Sequence, residues 1–119
     1  DMNRFPEAVA PYSILIARLD RPMFFANAEK ICHAILQKVS EQNYEHVILN
    51  LEECPSLDST SIEELLSLAK HLQEQRINLQ LARVRRSVAR TLLYVNSPLF
   101  PKSSYDSQSV DDAVRQLER

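Results

Sequence analysis

The segment richest in reactive side chains is Leu57–Glu64, which reads LDSTSIEE. Its candidate phosphoacceptor and regulatory residues are Asp58, Ser59, Thr60 and Ser61. A hydroxyl here could cap a helix, because the Thr60–Glu63 and Ser61–Glu64 pairs both have the spacing of a capping box. A hydroxyl could also accept phosphate, which the positive end of a helix dipole would stabilise. The acidic neighbours would repel a phosphate, so the spacing alone favours the cap.

Two further groups of residues are candidates for contact with a partner or a membrane. Between residues 75 and 105 the chain has six basic side chains and no acidic one. Four of them lie close together: Arg83, Arg85, Arg86 and Arg90. They could form an ordinary solvated surface, or they could bind acidic phospholipid headgroups or an acidic partner. Phe24 and Phe25 could form a partner-binding patch, although the simpler expectation is that one lies in the core and the other is half-covered.

Several other chemistries are excluded or unsupported. The chain has no glycine, which excludes the glycine-rich phosphate loops and the nucleophile elbow. A net charge of −2 disfavours nucleic acid as a partner. Neither His33, His46 and His71 nor the two cysteines have the spacing of metal ligands, so we expect no metal, no cofactor and no enzyme activity. The presence of only two cysteines, Cys32 and Cys54, without a CxxC motif is typical of a protein in a reducing compartment. The sequence does not decide whether they form a disulfide.

The pattern of apolar residues predicts an α/β domain. Strands are expected at 13–19, 47–51 and 77–82, with two brief additional strands at 23–25 and 105–106. Helices are expected at 28–39, at 62–75, at 88–95 and at 110–117, and Asn27 is a candidate N-cap of the first. A length of 119 residues fits one domain, and 45% hydrophobic residues argue against disorder.

Two motifs on these elements resemble the STAS domain, the module shared by sulfate transporters and anti-sigma-factor antagonists. The strand VILNL followed by LDSTSIEEL resembles the central signature of the family. The segment PMFFANAEK, at Pro22–Lys30, resembles a segment typical of STAS domains at the C-terminus of SulP-type anion permeases. The segments RFPEA, ILIARLD, LARVRRSVARTLL and VDDAVRQL extend the resemblance over nearly the whole chain, in the same order.

The resemblance implies a STAS-like (SpoIIAA-like) fold: a mixed sheet of about four to five strands with about four helices, mostly on one face. It implies a single domain over 1–119, in which an irregular or short-strand segment at 1–11 follows a membrane domain. The function expected is that of a non-catalytic regulatory and interaction domain of a transporter for sulfate, a related inorganic anion or a dicarboxylate. Its expected location is the cytoplasmic side of the bacterial inner membrane. Expected partners are the membrane domain of the same polypeptide, a soluble regulatory protein and a second copy of the chain.

The resemblance also carries an alternative function, that of a free-standing anti-sigma factor antagonist. In those proteins the second hydroxyl residue after the aspartate is phosphorylated, and that position is Thr60 here, next to Ser59. The sequence departs from the family where glycines are usual, at Ser61, Arg76 and Arg83. If Arg76 takes a left-handed conformation at a helix end, the cost is about 1 kcal/mol relative to glycine. The transported anion, nucleotide binding and the oligomeric state stay open.

Overall fold

The structure is a computed structural model that describes residues 3–4, 13–106 and 109–117. Its strands are β1 (Asn3–Arg4), β2 (Ile14–Leu19), β3 (His46–Asn50) and β4 (Asn78–Ala82). Its helices are α1 (Ala28–Glu41), α2 (Ser59–Glu74), α3 (Arg86–Val95) and α4 (Val110–Leu117), with a short 3-10 helix at Lys102–Ser104. None of the helices in this part of the chain is both long and apolar enough to cross a bilayer.

The four strands form one mixed sheet in the order β1-β2-β3-β4. Strand β1 is antiparallel to β2, whereas β2, β3 and β4 are parallel to one another. The register places Ile16 opposite Ile48, and Ile48 opposite Gln80. Parallel strands need crossover connections, which α1 and α2 provide. The mixed α/β fold predicted from the sequence is therefore confirmed.

Three helices cover one face of the sheet and form the main core. Side chains at alternate strand positions, such as Leu15, Leu49 and Leu81, point to this face and are fully buried. Helix α1 contributes the apolar residues predicted from its helical spacing: Ala28, Ile31, Cys32, Ile35 and Val39. The main core thus fixes α1 and α2 side by side, with the N-terminal end of α2 close to the turn that precedes α1.

The fourth helix covers the opposite face. Its Val110 and Ala113 are buried against Ile14, Ile16 and Ile48 of the sheet. This second cluster explains why β2 and β3 are apolar on both faces, as expected of strands covered on two sides. The helices are therefore mostly on one face, with α4 on the other.

The prediction of two brief additional strands, at 23–25 and 105–106, is wrong. Residues 23–25 lead into a turn, in which the Phe24 carbonyl accepts hydrogen bonds from the backbone N–H groups of Asn27 and Ala28 at 3.0 and 2.9 Å. Residues 105–106 also lie in a turn after the 3-10 helix, and the Tyr105 N–H donates to the Lys102 carbonyl. In both segments the apolar side chains fill gaps in the core or stay exposed, so an apolar run of two or three residues did not require a strand.

Among the described residues of this glycine-free chain, three take left-handed conformations. Arg76 has a φ of 60°, Arg83 of 54° and Asn96 of 53°. Arg76 follows the end of α2, where its N–H donates to the Gln73 carbonyl and the next N–H, of Ile77, donates to the Leu72 carbonyl. These two bonds form a Schellman motif, which most helices complete with glycine. Of the three positions where the family usually has glycine, Arg76 and Arg83 take a left-handed backbone, whereas Ser61 is helical.

Candidate functional site

The candidate regulatory segment lies at the N-terminus of α2, and Asp58 holds it together. Asp58 is the N-cap of α2, and its Oδ1 accepts a hydrogen bond from the Ser61 N–H at 2.8 Å. Its Oδ2 accepts a second bond from the Phe25 N–H at 2.7 Å. The carboxylate therefore connects the turn before α1 with the start of α2. The pKa of the Asp58 carboxyl is lowered by the nearby Ser61 hydroxyl and by the hydrogen bonds from these backbone N–H groups.

The structure corrects the sequence-based expectation for this segment in two respects. The capping boxes predicted at Thr60–Glu63 and Ser61–Glu64 are wrong, because Asp58 provides the cap. The three hydroxyl residues also lie in the first turn of α2, because this helix begins at Ser59 and not at the predicted residue 62. An aspartate directly before the helix accepts from the third helical N–H, which is the usual geometry of an N-cap.

The three hydroxyl side chains differ greatly in exposure. Ser59 is exposed, Thr60 is half-buried and Ser61 is fully buried. Ser61 Oγ lies near the Asp58 carboxylate but has no hydrogen-bond partner of regular geometry among the described residues. A buried hydroxyl of this kind cannot meet a kinase unless α2 frays. Of the candidate phosphoacceptors, only Ser59 and Thr60 have accessible side chains.

The two phenylalanines of the turn before α1 form an exposed aromatic pair. Phe24 is 44% exposed and Phe25 70% exposed, with ring centroids 5.4 Å apart in an edge-to-face arrangement. The expectation that one of them lies in the core is wrong, because Met23 occupies that position. Buried Asn27 fixes the turn, since its Oδ1 accepts from the Phe24 N–H and its Nδ2 donates to the Pro22 carbonyl. The backbone that carries the pair is thus fixed on the surface beside Asp58.

The four clustered arginines do not form one site. The Arg85 Nε donates to the Glu52 carbonyl at 2.8 Å, so this side chain fastens the α3 start to the loop after β3. Hydrogen bonds from Ser109 lower the pKa of the Asp112 carboxyl, and the nearby charges of Arg115 and Arg83 lower it further. Arg86 and Arg90 are exposed on α3. Only these last two present their charge outward on one helix.

Two exposed residues of α3 were missed in the sequence analysis. Leu93 is 51% exposed and Tyr94 is 91% exposed. A helical wheel would have found them, because the residues assigned to the core face, Val88 and Leu92, leave Leu93 and Tyr94 pointing away from the sheet. They lie one turn beyond Arg90 on the exposed side of α3.

The thiols and imidazoles do not form a reactive or metal-binding group. Cys32 and Cys54 are both buried and free. Burial raises the pKa of the Cys32 thiol to about 12, with a smaller contribution from Glu64, and burial likewise raises the pKa of Cys54. Cys54 Sγ accepts a hydrogen bond from the Met23 N–H. Within the described ranges, no three histidine, cysteine or acidic side chains converge as metal ligands do.

The chain matches the model of the STAS domain family over residues 5–104, so it belongs to the STAS domain family. Its sequence is 25% identical over 117 residues to Probable sulfate transporter 3.5 of Arabidopsis thaliana. This match covers 97% of the chain but only 18% of the transporter, so the chain spans about a fifth of the length of that relative.

Solved structures show the same fold in two kinds of protein. The first is the mouse Solute Carrier 26 family member A9 anion transporter in its inward-facing state, with a TM-score of 0.77 and 18% identity over 88% of this chain and 18% of the transporter. The second is the Bacillus anti-sigma factor antagonist SpoIIAA in its unphosphorylated form, with a TM-score of 0.73 and 14% identity over 97% of this chain and 96% of SpoIIAA. The fold is therefore common to transporter domains and free-standing antagonists.

Proposed function

We propose that this chain is the single STAS domain, over residues 1–119, of a SulP-type transporter. The transporter would carry sulfate, a related inorganic anion or a dicarboxylate. The observation that carries the proposal is the match of nearly the whole chain to a small part of a probable sulfate transporter. The domain would act without catalysis on the cytoplasmic side of the membrane, where it modulates transport, assembly or partner binding.

The surface proposed for contact with the membrane domain consists of Phe24, Phe25 and the start of α2, where Asp58 is half-buried and Ser59 is exposed. Support comes from the exposure of two aromatic side chains, which usually lose water favourably in an interface. Asn27 and Asp58 accept hydrogen bonds from the backbone N–H groups of the two phenylalanines, so the backbone of the turn loses little conformational entropy on docking. The same surface could bind a soluble regulatory protein.

The first test is the gene that encodes the chain. A coding sequence with about ten or more apolar segments of about 20 residues before the STAS domain would support the proposal. A start codon directly before residue 1 would contradict it. The second test is uptake of radiolabelled sulfate by cells that express the whole gene product.

The contact surface is tested in the same uptake experiment with two variants of one residue. Phe25→Asp places a charge in the proposed interface and should lower uptake or the amount of assembled transporter several-fold. Phe25→Leu keeps an apolar side chain and serves as the matched control, with uptake close to that of the wild type. Equal uptake by the two variants, at equal protein levels, would show that the aromatic pair is not a contact.

The second candidate function is a free-standing antagonist that is switched by phosphorylation at Thr60 or Ser59. It is favoured by the exposure of Ser59 in the first turn of α2, where the helix dipole would stabilise a phosphate. Incubation with a cognate kinase should then add one phosphate, detected by mass spectrometry and abolished by Ser59→Ala or Thr60→Ala. Unchanged mass in the wild type, with a known antagonist phosphorylated in parallel, would exclude the switch.

A further inference from the structure

Four exposed residues of α3 form one continuous stripe: Arg86, Arg90, Leu93 and Tyr94. With 3.6 residues per turn, these four side chains fall within about 100° of the helix circumference. Val88 and Leu92 lie on the opposite side and are buried in the main core. The stripe therefore combines two cations with two apolar side chains on a helix that the core holds in place. We propose that this stripe docks the domain on the surface of an anionic lipid bilayer.

The two arginines of the stripe form no ion pair within the described part of the chain. Among the described residues the only ion pair joins Lys38 to Glu41, so Arg86 and Arg90 have no carboxylate partner there. Arg86 is also the first residue of α3, and this helix has no acidic residue in its first turn. A cation at a helix N-terminus opposes the helix dipole, which is a local cost. A negatively charged ligand would interact favourably with both Arg86 and the N-terminus of α3, which offsets this unfavourable interaction.

Leu93 and Tyr94, the apolar part of the stripe, favour an anionic bilayer over other anionic partners. Tyr94 is 91% exposed, and its ring has an apolar body with a polar tip, which suits the boundary between headgroups and acyl chains. Leu93 beside it can insert below the headgroups, while the two arginines reach phosphate from the same side. An acidic protein surface would match the arginines but would leave Leu93 without an apolar partner. The inference does not depend on attachment to a transporter, because it rests on α3 alone.

The charge requirement is tested by co-sedimentation with vesicles. The chain should bind vesicles of phosphatidylcholine with about 30 mol% phosphatidylglycerol and should not bind phosphatidylcholine alone, since each basic residue contributes about fivefold in affinity. Arg86→Gln/Arg90→Gln should weaken binding about 30-fold. The matched control, Lys30→Gln/Lys70→Gln, removes two exposed charges from α1 and α2 and should bind as the wild type does.

Insertion is tested separately with a fluorescent probe, because the chain has no tryptophan. Tyr94→Trp introduces a single tryptophan into the stripe, whereas Gln37→Trp introduces one at an exposed position of α1. On anionic vesicles the emission of the first variant should shift to shorter wavelength and be quenched by brominated acyl chains, and that of the second should not change. Equal binding by the two charge variants, binding to neutral lipid alone, absence of any vesicle binding, or an unshifted emission of the Tyr94→Trp variant would overturn the proposal.

Discussion

Asp58 is the residue with the clearest structural consequence in the candidate site. One carboxylate oxygen caps α2 through the Ser61 N–H, and the other holds the Phe25 N–H. Phe25 and Asp58 lie 33 positions apart in the sequence, so the Asp58 carboxylate also joins two distant segments. Losing the carboxylate would therefore loosen both the helix start and the aromatic pair.

We expect Asp58→Ala to lower the free energy of unfolding by about 1 kcal/mol at neutral pH, the usual effect of losing an N-cap. Asp58→Asn should lose less, because asparagine caps helices about as well as aspartate. Urea unfolding followed by circular dichroism would measure both. If Asp58→Ala were as stable as the wild type, the cap would not contribute in solution.

The pH dependence of Asp58 follows from its lowered pKa. A carboxyl whose pKa is lower in the folded state contributes stability that is complete above its unfolded pKa, about 3.9, and is lost as the pH falls through the folded value. The Asn variant lacks this titration. The wild type and Asp58→Asn should thus differ by a constant free energy of unfolding above about pH 5, and the difference should shrink below about pH 4. A difference that stays constant in acid would contradict the assignment.

At the scale of elements, the connection between α2 and β4 is the feature that the missing glycines affect most. Arg76 completes the Schellman motif at the end of α2 with a φ of 60°, a conformation that costs a residue with a Cβ atom about 1–2 kcal/mol. The hydrogen bonds of the motif and the burial of neighbouring Ile77 hold the backbone in this conformation.

Arg76→Gly should therefore raise the free energy of unfolding by up to about 1 kcal/mol, because the relief of strain exceeds the extra entropy of the unfolded chain. Arg90→Gly is the matched control, since it removes the same side chain from the interior of α3, where glycine costs about 1 kcal/mol. Thermal unfolding of the two variants should give shifts of opposite sign. If both variants were less stable than the wild type, the Arg76 side chain would stabilise the fold by more than its left-handed backbone costs.

At the scale of the whole molecule, the two thiols report on the integrity of the core. Cys32 lies between α1 and α2, and Cys54 lies under the turn that holds Met23. Burial raises the pKa of both, to about 12 for Cys32, so neither forms the reactive thiolate readily at neutral pH.

We expect an aromatic disulfide reagent to modify the folded chain slowly near pH 8 and to modify two thiols rapidly once urea unfolds it. The control is Ser56→Cys, which adds a thiol at an exposed position and should react at once in the folded state. Absorbance of the released thiolate gives both rates. Rapid reaction of the folded wild type would mean that the core opens frequently.

Much of this architecture could be predicted from the residues themselves. The helical spacing of Ile31, Ile35 and Val39 placed α1 correctly, and the compact apolar run VILNL placed β3. Short apolar runs were less informative: the phenylalanines of the turn before α1 were expected to form a strand with one side chain in the core, whereas both are exposed. Two or three residues do not establish a period, so only packing decides where such side chains go.

The three parallel strands and the four helices could be predicted from the periodicity of apolar residues. The family could be predicted from motifs that resemble its signature. Contacts between distant residues were not available. Only the folded chain brought Asp58 to Phe25 and directed Arg85 to the Glu52 carbonyl. The physical reason is that the partner of a side chain depends on how helices and strands pack against one another. Local sequence does not specify which distant residues this packing brings into contact.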